Sequence, residues 1–581
     1  MKLKIYSFAP LFLGGAIFLL CGCGTNSTSD NNDNVISSNI SYYTLDDANG
    51  YDIRNRNVLH STAYIAQMCY TKTIDKDNIT HNPCFACHNK NIAPNYIFNN
   101  DTLQELYDFP SPALKNPFLN HFKDFSNAVV QISDETIQNY IQTSNYFDEN
   151  NSIILAKKLQ NLTPLWDDND DGIWSGYIPD CYYNFDDEGF DKKTDGSYSG
   201  WRAFGYMPFL GTFWPTNGST DDVLIRLNSS FMKLDENGSF NKEVYKLNLA
   251  IVEAMIKRKD VAIDTVDETR YGVDLDKNGE LSSASIIKYK WDPKDGMLMY
   301  YIGYANELLK KEKLHIAAGL FPEGTEFLHS VRYIQADNNS SEISLSQRMK
   351  ELRYAKKTMW LTYADLQNIG MAKIVKKDLD PDAIEGFRGN FESGLGNNLG
   401  WVYQGFIEDK NGNLRPQSYE ETLNCMGCHS GITATVDSIF SFARKFDTQE
   451  SFQQGWYHWS QKSLKGIAEM QYSDGRYEFS NYLRLNNSGD EFRENDEVIT
   501  KFFLANGDFN QSAITILHND ISYLLYPSYK RAIKLNKAYK ALVETQTFYN
   551  GKAAHILPFK NIYQKLEDLQ STGNEKYIIP E

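Results

Sequence analysis

Two short stretches hold the residues best suited to chemistry: Cys84-Phe85-Ala86-Cys87-His88 and Cys425-Met426-Gly427-Cys428-His429. Two thiols separated by two residues can both reach one porphyrin edge and add across its vinyl groups as thioethers. The His that follows directly then points its imidazole at the iron from the same face. Zinc is the competing use of these residue types, but it needs ligands gathered from both units and a reducing compartment. A thioredoxin-like redox pair does not call for the His. The spacing predicts two covalently bound haem c groups, held by Cys84, Cys87, Cys425 and Cys428, with His88 and His429 as axial ligands.

Each iron has a second face, which His or Met can close. His458, within Trp456-Tyr457-His458-Trp459, follows the second motif and is the expected distal ligand there. His60, His81 and Met68 are the candidates beside the first. Two loops have calcium-type spacing, with oxygen ligands at alternate positions and Gly at the sixth: Asp274, Asp276 and Asn278 before Gly279, and Asp167, Asn169 and Asp171 before Gly172. Neither has Glu at the twelfth position, so each needs a ligand from elsewhere. The alternative for both is a solvated acidic turn. Cys69 and Cys181 remain outside these motifs, either bonded to each other or left as buried free thiols.

The elements that must position these groups read as follows. Residues 46–160 carry the first motif, with helical spacing at 57–70, 133–142 and 152–160. Residues 161–384 form a central region that is aromatic and turn-rich at first, then helical at 241–258 and over the charged stretch 341–377. Residues 385–470 hold the second motif, with a helix expected at 434–446. Residues 471–581 end in a helix at 527–547 that starts on Pro527. The expected fold is mainly α, with helical, cytochrome c-like haem regions and a partly β centre.

The chain begins with Lys2, Lys4 and an uncharged apolar run ending Leu20-Cys21-Gly22-Cys23. That run is short for a membrane span and reads as a signal peptide over residues 1–22. Its end resembles the bacterial lipoprotein signal, which implies lipidation of Cys23 and a flexible tether over 23–45. Gly24, rather than Asp, favours the outer membrane. The protein is thus expected to be exported and anchored facing the periplasm. The whole chain carries a net charge of −17, and loss of Lys2 and Lys4 makes the mature chain more acidic. Such a body does not bind nucleic acid by general electrostatics. It suits a basic redox partner, such as a small basic cytochrome.

The two pentads resemble those of the c-type cytochrome superfamily and, more distantly, of dihaem peroxidases and MauG-type proteins. The resemblance implies electron transfer through two closed irons or, alternatively, a peroxidase- or oxygenase-like oxidoreductase with one open iron. A haem-stabilised binding lipoprotein is a third class. The motifs lie 341 positions apart, farther than adjacent cytochrome domains require, and no catalytic residue of a peroxidase can be aligned.

Overall fold

A computed structural model of the chain describes residues 53–574 apart from 55–57, 89–92, 95–104, 338–341, 448–450, 488 and 490. The signal peptide, Cys23 and the tether lie outside the described residues. Residues 47–581 make up one unit, built around a ten-stranded antiparallel sheet.

A two-stranded ribbon, β1 (Thr73–Ile74) and β2 (Thr80–His81), precedes the first motif. The large sheet comprises β3 (Phe190–Lys192), β4 (Tyr198–Ala203), β5 (Thr220–Asp221) and β6 (Leu224–Arg226). A separate hairpin, β7 (Val261–Asp267) with β8 (Ser283–Ile287), interrupts the series. The sheet resumes with β9 (Glu326–Ala336), β10 (Ile343–Lys357), β11 (Gly389–Asn390), β12 (Gly394–Gly396), β13 (Trp401–Glu408) and β14 (Leu414–Pro416). Its order is β11-β12-β13-β10-β9-β6-β4-β3, with β14 on β13 and β5 on β9.

Helices α1 (Cys84–Cys87), α3 (Tyr363–Leu379), α4 (Tyr419–His429) and α5 (Tyr529–Thr545) contribute to the site, and α2 (Lys242–Lys257) lies in the core. The expected helices at 133–142, 152–160, 241–258 and 527–547 are present, three of them with side-chain caps: Ser133 accepts from Thr136 N–H, Asn241 from Val244 N–H and Ser528 from Arg531 N–H.

The mainly-α expectation is overturned, because helix accounts for 33% and strand for 19% of the structure. The reason is clearest in β10. Its charged residues read as a solvated helix, yet Arg348, Lys350, Glu351 and Lys357 are all buried. Each has a partner from a distant segment: Arg348 pairs with Glu408 at 2.8 Å, Lys357 with Asp437, and Lys350 donates to the Gly218 carbonyl at 2.6 Å. Paired charges can sit in a central strand where lone ones cannot. Helix therefore begins only at Tyr363, behind a Thr362/Asp365 capping box. Residues 434–446 are turns with one short 3₁₀ segment, Phe442–Arg444, because the loop turns back onto α1.

The period-two alternation of strands gives the sheet two working faces. Leu328, Leu352 and Phe406 enter a core with Trp201 on one side. Phe327, Ala355 and Tyr403 share a cross-strand row on the other, as do His329, Arg353 and Gly405. This second face floors the cavity described next.

Candidate functional site

Both pentads open onto one cavity of about 940 Å³, although nearly the whole sheet separates them in sequence. Its floor includes Phe327, His329, Val331, Glu351, Arg353, Ala355 and Tyr403. Cys84, Cys87 and His88 line it together with Cys425, Cys428 and His429. Helix α3 walls the mouth with Met371 and Ile374, tied down by the Lys377–Asp108 pair at 2.5 Å.

Helix α1 is a single turn held by buried Asn82. Its carboxamide oxygen accepts from the Cys84 amide (3.1 Å) and thiol (2.9 Å), while its NH₂ donates to Thr71 O (2.9 Å) and to Tyr107 Oη (2.6 Å). Helix α4 starts with a capping box, Ser418 with Glu421. Arg415 grips the same Glu421 through two bonds of 2.8 and 2.9 Å, both groups being buried. Gly427 lets α4 pass against the backbone of Tyr64, where an added Cβ would come within 1.8 Å of the carbonyl oxygen.

The residues fit haem c. At the second motif, His429 Nδ1 lies 2.6 Å from the Ser438 carbonyl. A carbonyl can only accept, so Nδ1 carries the proton and Nε2 keeps the lone pair that a metal needs. Asp437 and Ser438 both have left-handed backbone, φ 49° and 65°, an arrangement tolerated where surrounding contacts enforce it. Burial pushes the His429 imidazole down to about 4, so it stays neutral. Its ring packs on Tyr403 at 4.7 Å, with Phe440 at 5.6 Å. Burial and neighbouring thiols push Cys428 up to about 11 and Cys87 well above the ordinary thiol range. Among the described residues no Cys–His group brings three ligand atoms within 4.8 Å, so no zinc-type cluster is assembled.

Several expected residues are placed elsewhere. His458 does not line the cavity: its Nδ1 meets Ser460 Oγ at 2.7 Å and its Nε2 meets Asp222 at 3.1 Å. His60 is engaged with Asn550 and His81 with Asp75. Met68 does reach the cavity. Cys69 and Cys181 are free thiols, not a disulfide. Cys69 lines the cavity, whereas Cys181 is buried with Trp201 and Tyr146, because the sheet separates their surroundings.

The first calcium-type loop has a third carboxylate nearby, that of Glu268, whose oxygens also accept from the Leu275, Asp276 and Ser282 amides. Glu268, Asp274 and Asp276 place carboxylate oxygens within 4.8 Å of one another, and buried Asp274 Oδ1 has no hydrogen-bond partner. Asn278 turns its amide toward Asp276 at 3.0 Å. Asp167, Asn169 and Asp171 form no such group. Asp167 and Asn169 both accept from Asp171 N–H, and Asp171 from Ile173 N–H; these oxygens serve their own turn.

Comparison with known proteins decides the family. A lipoprotein family profile matches residues 54–519. The chain belongs to this lipoprotein family. A relative in Aquifex aeolicus (strain VF5), described as "Uncharacterized lipoprotein", is 30% identical over 564 residues, covering 87% of this chain and 88% of that one. No solved structure matches. The resemblance to c-type cytochromes and to dihaem peroxidase or MauG-type proteins is thereby corrected. The family matched is a lipoprotein family, and the fold is a large antiparallel sheet with helices, unlike a cytochrome. The expectations of electron transfer and of a dihaem oxidoreductase fall with that resemblance, since neither the family nor the relative supports them. Among the described residues no helix is long and apolar enough to cross a membrane.

Sequence reasoning missed Asn82, His329, Arg353, Tyr403 and Ser438. The only available signal was the alternation Phe327-x-His329-x-Val331, which places a His on an otherwise apolar strand face.

Proposed function

We propose that this lipoprotein is a haem-bearing binding protein, holding two covalent haem c groups in one cavity at a bacterial membrane surface. The observation that carries this reading is that Cys84, Cys87 and His88 share a single cavity with Cys425, Cys428 and His429. The committed tautomer of His429 supports it further. When bound, haem supplies an iron able to take an axial ligand. The chain's own residues fix the porphyrin edges, orient the imidazoles and exclude water through the aromatic walls. Cys23 supplies the lipid anchor, with the outer membrane and its periplasmic face as the favoured site. A calcium ion at Glu268, Asp274 and Asp276 would brace the β7–β8 hairpin.

The pyridine haemochrome assay on the purified lipoprotein tests the reading. We expect two haems per chain, one after Cys84→Ser/Cys87→Ser and one after Cys425→Ser/Cys428→Ser. Colour that extracts into acid–acetone, or no haem in the wild type, would refute it. Cys23→Ser should release the loaded protein from membranes.

A further inference from the structure

His329 lies on the cavity floor, on β9. Its Nδ1 is 2.6 Å from the Asp222 carbonyl. Because that oxygen only accepts, Nδ1 holds the proton and Nε2 is left as a bare lone pair. This Nε2 is buried and has no hydrogen-bond partner, although a buried polar atom normally has one. The Phe213 ring meets the imidazole edge-on at 4.9 Å and fixes its plane. Burial pushes the group down to about 4, with Arg353 acting in the same direction, so the ring is neutral. His329 thus repeats what His429 shows: Nδ1 committed to a backbone carbonyl and Nε2 left free.

The other histidines outside the motifs differ. His60, His81, His315, His458, His518 and His555 each have a polar or acidic partner. His121 is sealed between Phe118 and Phe492, away from the cavity. Among the described histidines outside the two motifs, His329 alone both lines the cavity and keeps a ring nitrogen with no hydrogen-bond partner.

Position selects the second motif over the first. His329 pairs across β10 with Arg353, and Arg353 with Gly405 on β13. The next row on the same face ends at Tyr403, on which His429 packs. Arg353 is also the charged neighbour that acts on Cys428 and His429. With strands about 4.8 Å apart and same-face residues about 7 Å apart along a strand, His329 and Tyr403 backbones are separated by roughly 10–12 Å.

We propose that His329 is the second axial ligand of the haem held by Cys425, Cys428 and His429, on the iron face opposite His429. This rests on the haem reading above. The neutral imidazole donates its Nε2 lone pair to the iron, and no proton or electron is transferred in forming the bond.

The test is the optical and EPR spectrum of the ferric, membrane-extracted lipoprotein, alongside its haem content. We expect the second haem to be low-spin in the wild type. His329→Ala should convert that one haem of the two to high-spin, and added imidazole should restore it. Combining His329→Ala with Cys84→Ser/Cys87→Ser should leave a protein with one haem, all of it high-spin. Should the Ala variant fail to fold, His329→Met keeps the volume and should shift the spectrum of one haem while leaving the other unchanged. Two haems with an unchanged spectrum in these variants, or a second haem already high-spin in the wild type, overturn the His329 assignment alone. Absence of covalent haem in the wild type overturns the underlying reading and this inference with it.

Discussion

Thr433 donates its hydroxyl to the carbonyl oxygen of Cys87 at 2.6 Å, and the Ala434 amide reaches the same oxygen at 3.3 Å. The loop after the second motif therefore caps the helix of the first, 346 residues away. The two motifs are built as one structural unit before any cofactor is considered. Thr433→Val keeps the shape and removes the stronger bond, leaving the carbonyl its longer partner. A loss of about 1 kcal/mol is expected, seen as a lower urea midpoint with an unchanged slope. An unchanged midpoint would mean that the Ala434 bond suffices.

Gly427 tests a second contact, that of α4 against the Tyr64 backbone. In an ordinary helix, Gly→Ala stabilises by up to about 1 kcal/mol. Here the new Cβ would fall 1.8 Å from Tyr64 O and 2.9 Å from its carbonyl carbon. Backbone cannot move aside as a flexible side chain can, so the clash outweighs the propensity gain. Gly427→Ala should destabilise by at least about 1–3 kcal/mol in urea unfolding. A more stable variant would show that α4 and the Tyr64 segment can part freely.

Stability should fall between pH 5 and 8 through Glu469, which lies away from the cavity. Burial pushes its carboxyl up to about 7, against the opposing bond from Ser480 N–H. An unfolded glutamate titrates near 4.3. Between these values the native state holds a proton that the unfolded chain has released. Raising the pH therefore favours unfolding, by on the order of 3 kcal/mol in total. Asp221, also pushed up to about 7 by burial, adds a loss of the same sign. Glu469→Gln should flatten its own share of the slope when urea unfolding is compared at pH 5 and pH 8. An equal slope in wild type and variant would show that Glu469 is not protonated in the native state.

Calcium should raise the thermal midpoint, because an ion bound only to the native state stabilises by about 2.7 kcal/mol at a hundredfold excess over Kd. Asp274 supplies the buried oxygen without a hydrogen-bond partner, so Asp274→Asn should abolish the calcium response. Asp171→Asn should leave it intact, since the Asp171 carboxylate serves Ile173 N–H. Thermal unfolding in calcium and in EDTA distinguishes these outcomes. A calcium response that survives Asp274→Asn would place the ion elsewhere.

The sequence alone determined the local chemistry. Cys-x-x-Cys-His fixes two thiols and an imidazole within five residues, and the calcium-type loop at Asp274 likewise shows within six. Helices such as α2 and α5 were legible because their apolar periodicity is local, although α2 is buried on nearly every side. The tertiary structure decided everything that depends on long-range pairing. Lys350 and Lys357 read as surface charges until Gly218 and Asp437, each brought in from elsewhere in the chain, bury them in a central strand. Cys69 and Cys181 could have been partners by count, but the sheet holds them in different surroundings. His458 lay nearest the second motif in sequence and turned to Asp222, whereas His329, about a hundred positions upstream of that motif, faces the shared cavity. Sequence proximity constrains only what a turn or a helix can span. Side chains that meet across a ten-stranded antiparallel sheet are chosen by strand order and register, which no local pattern encodes.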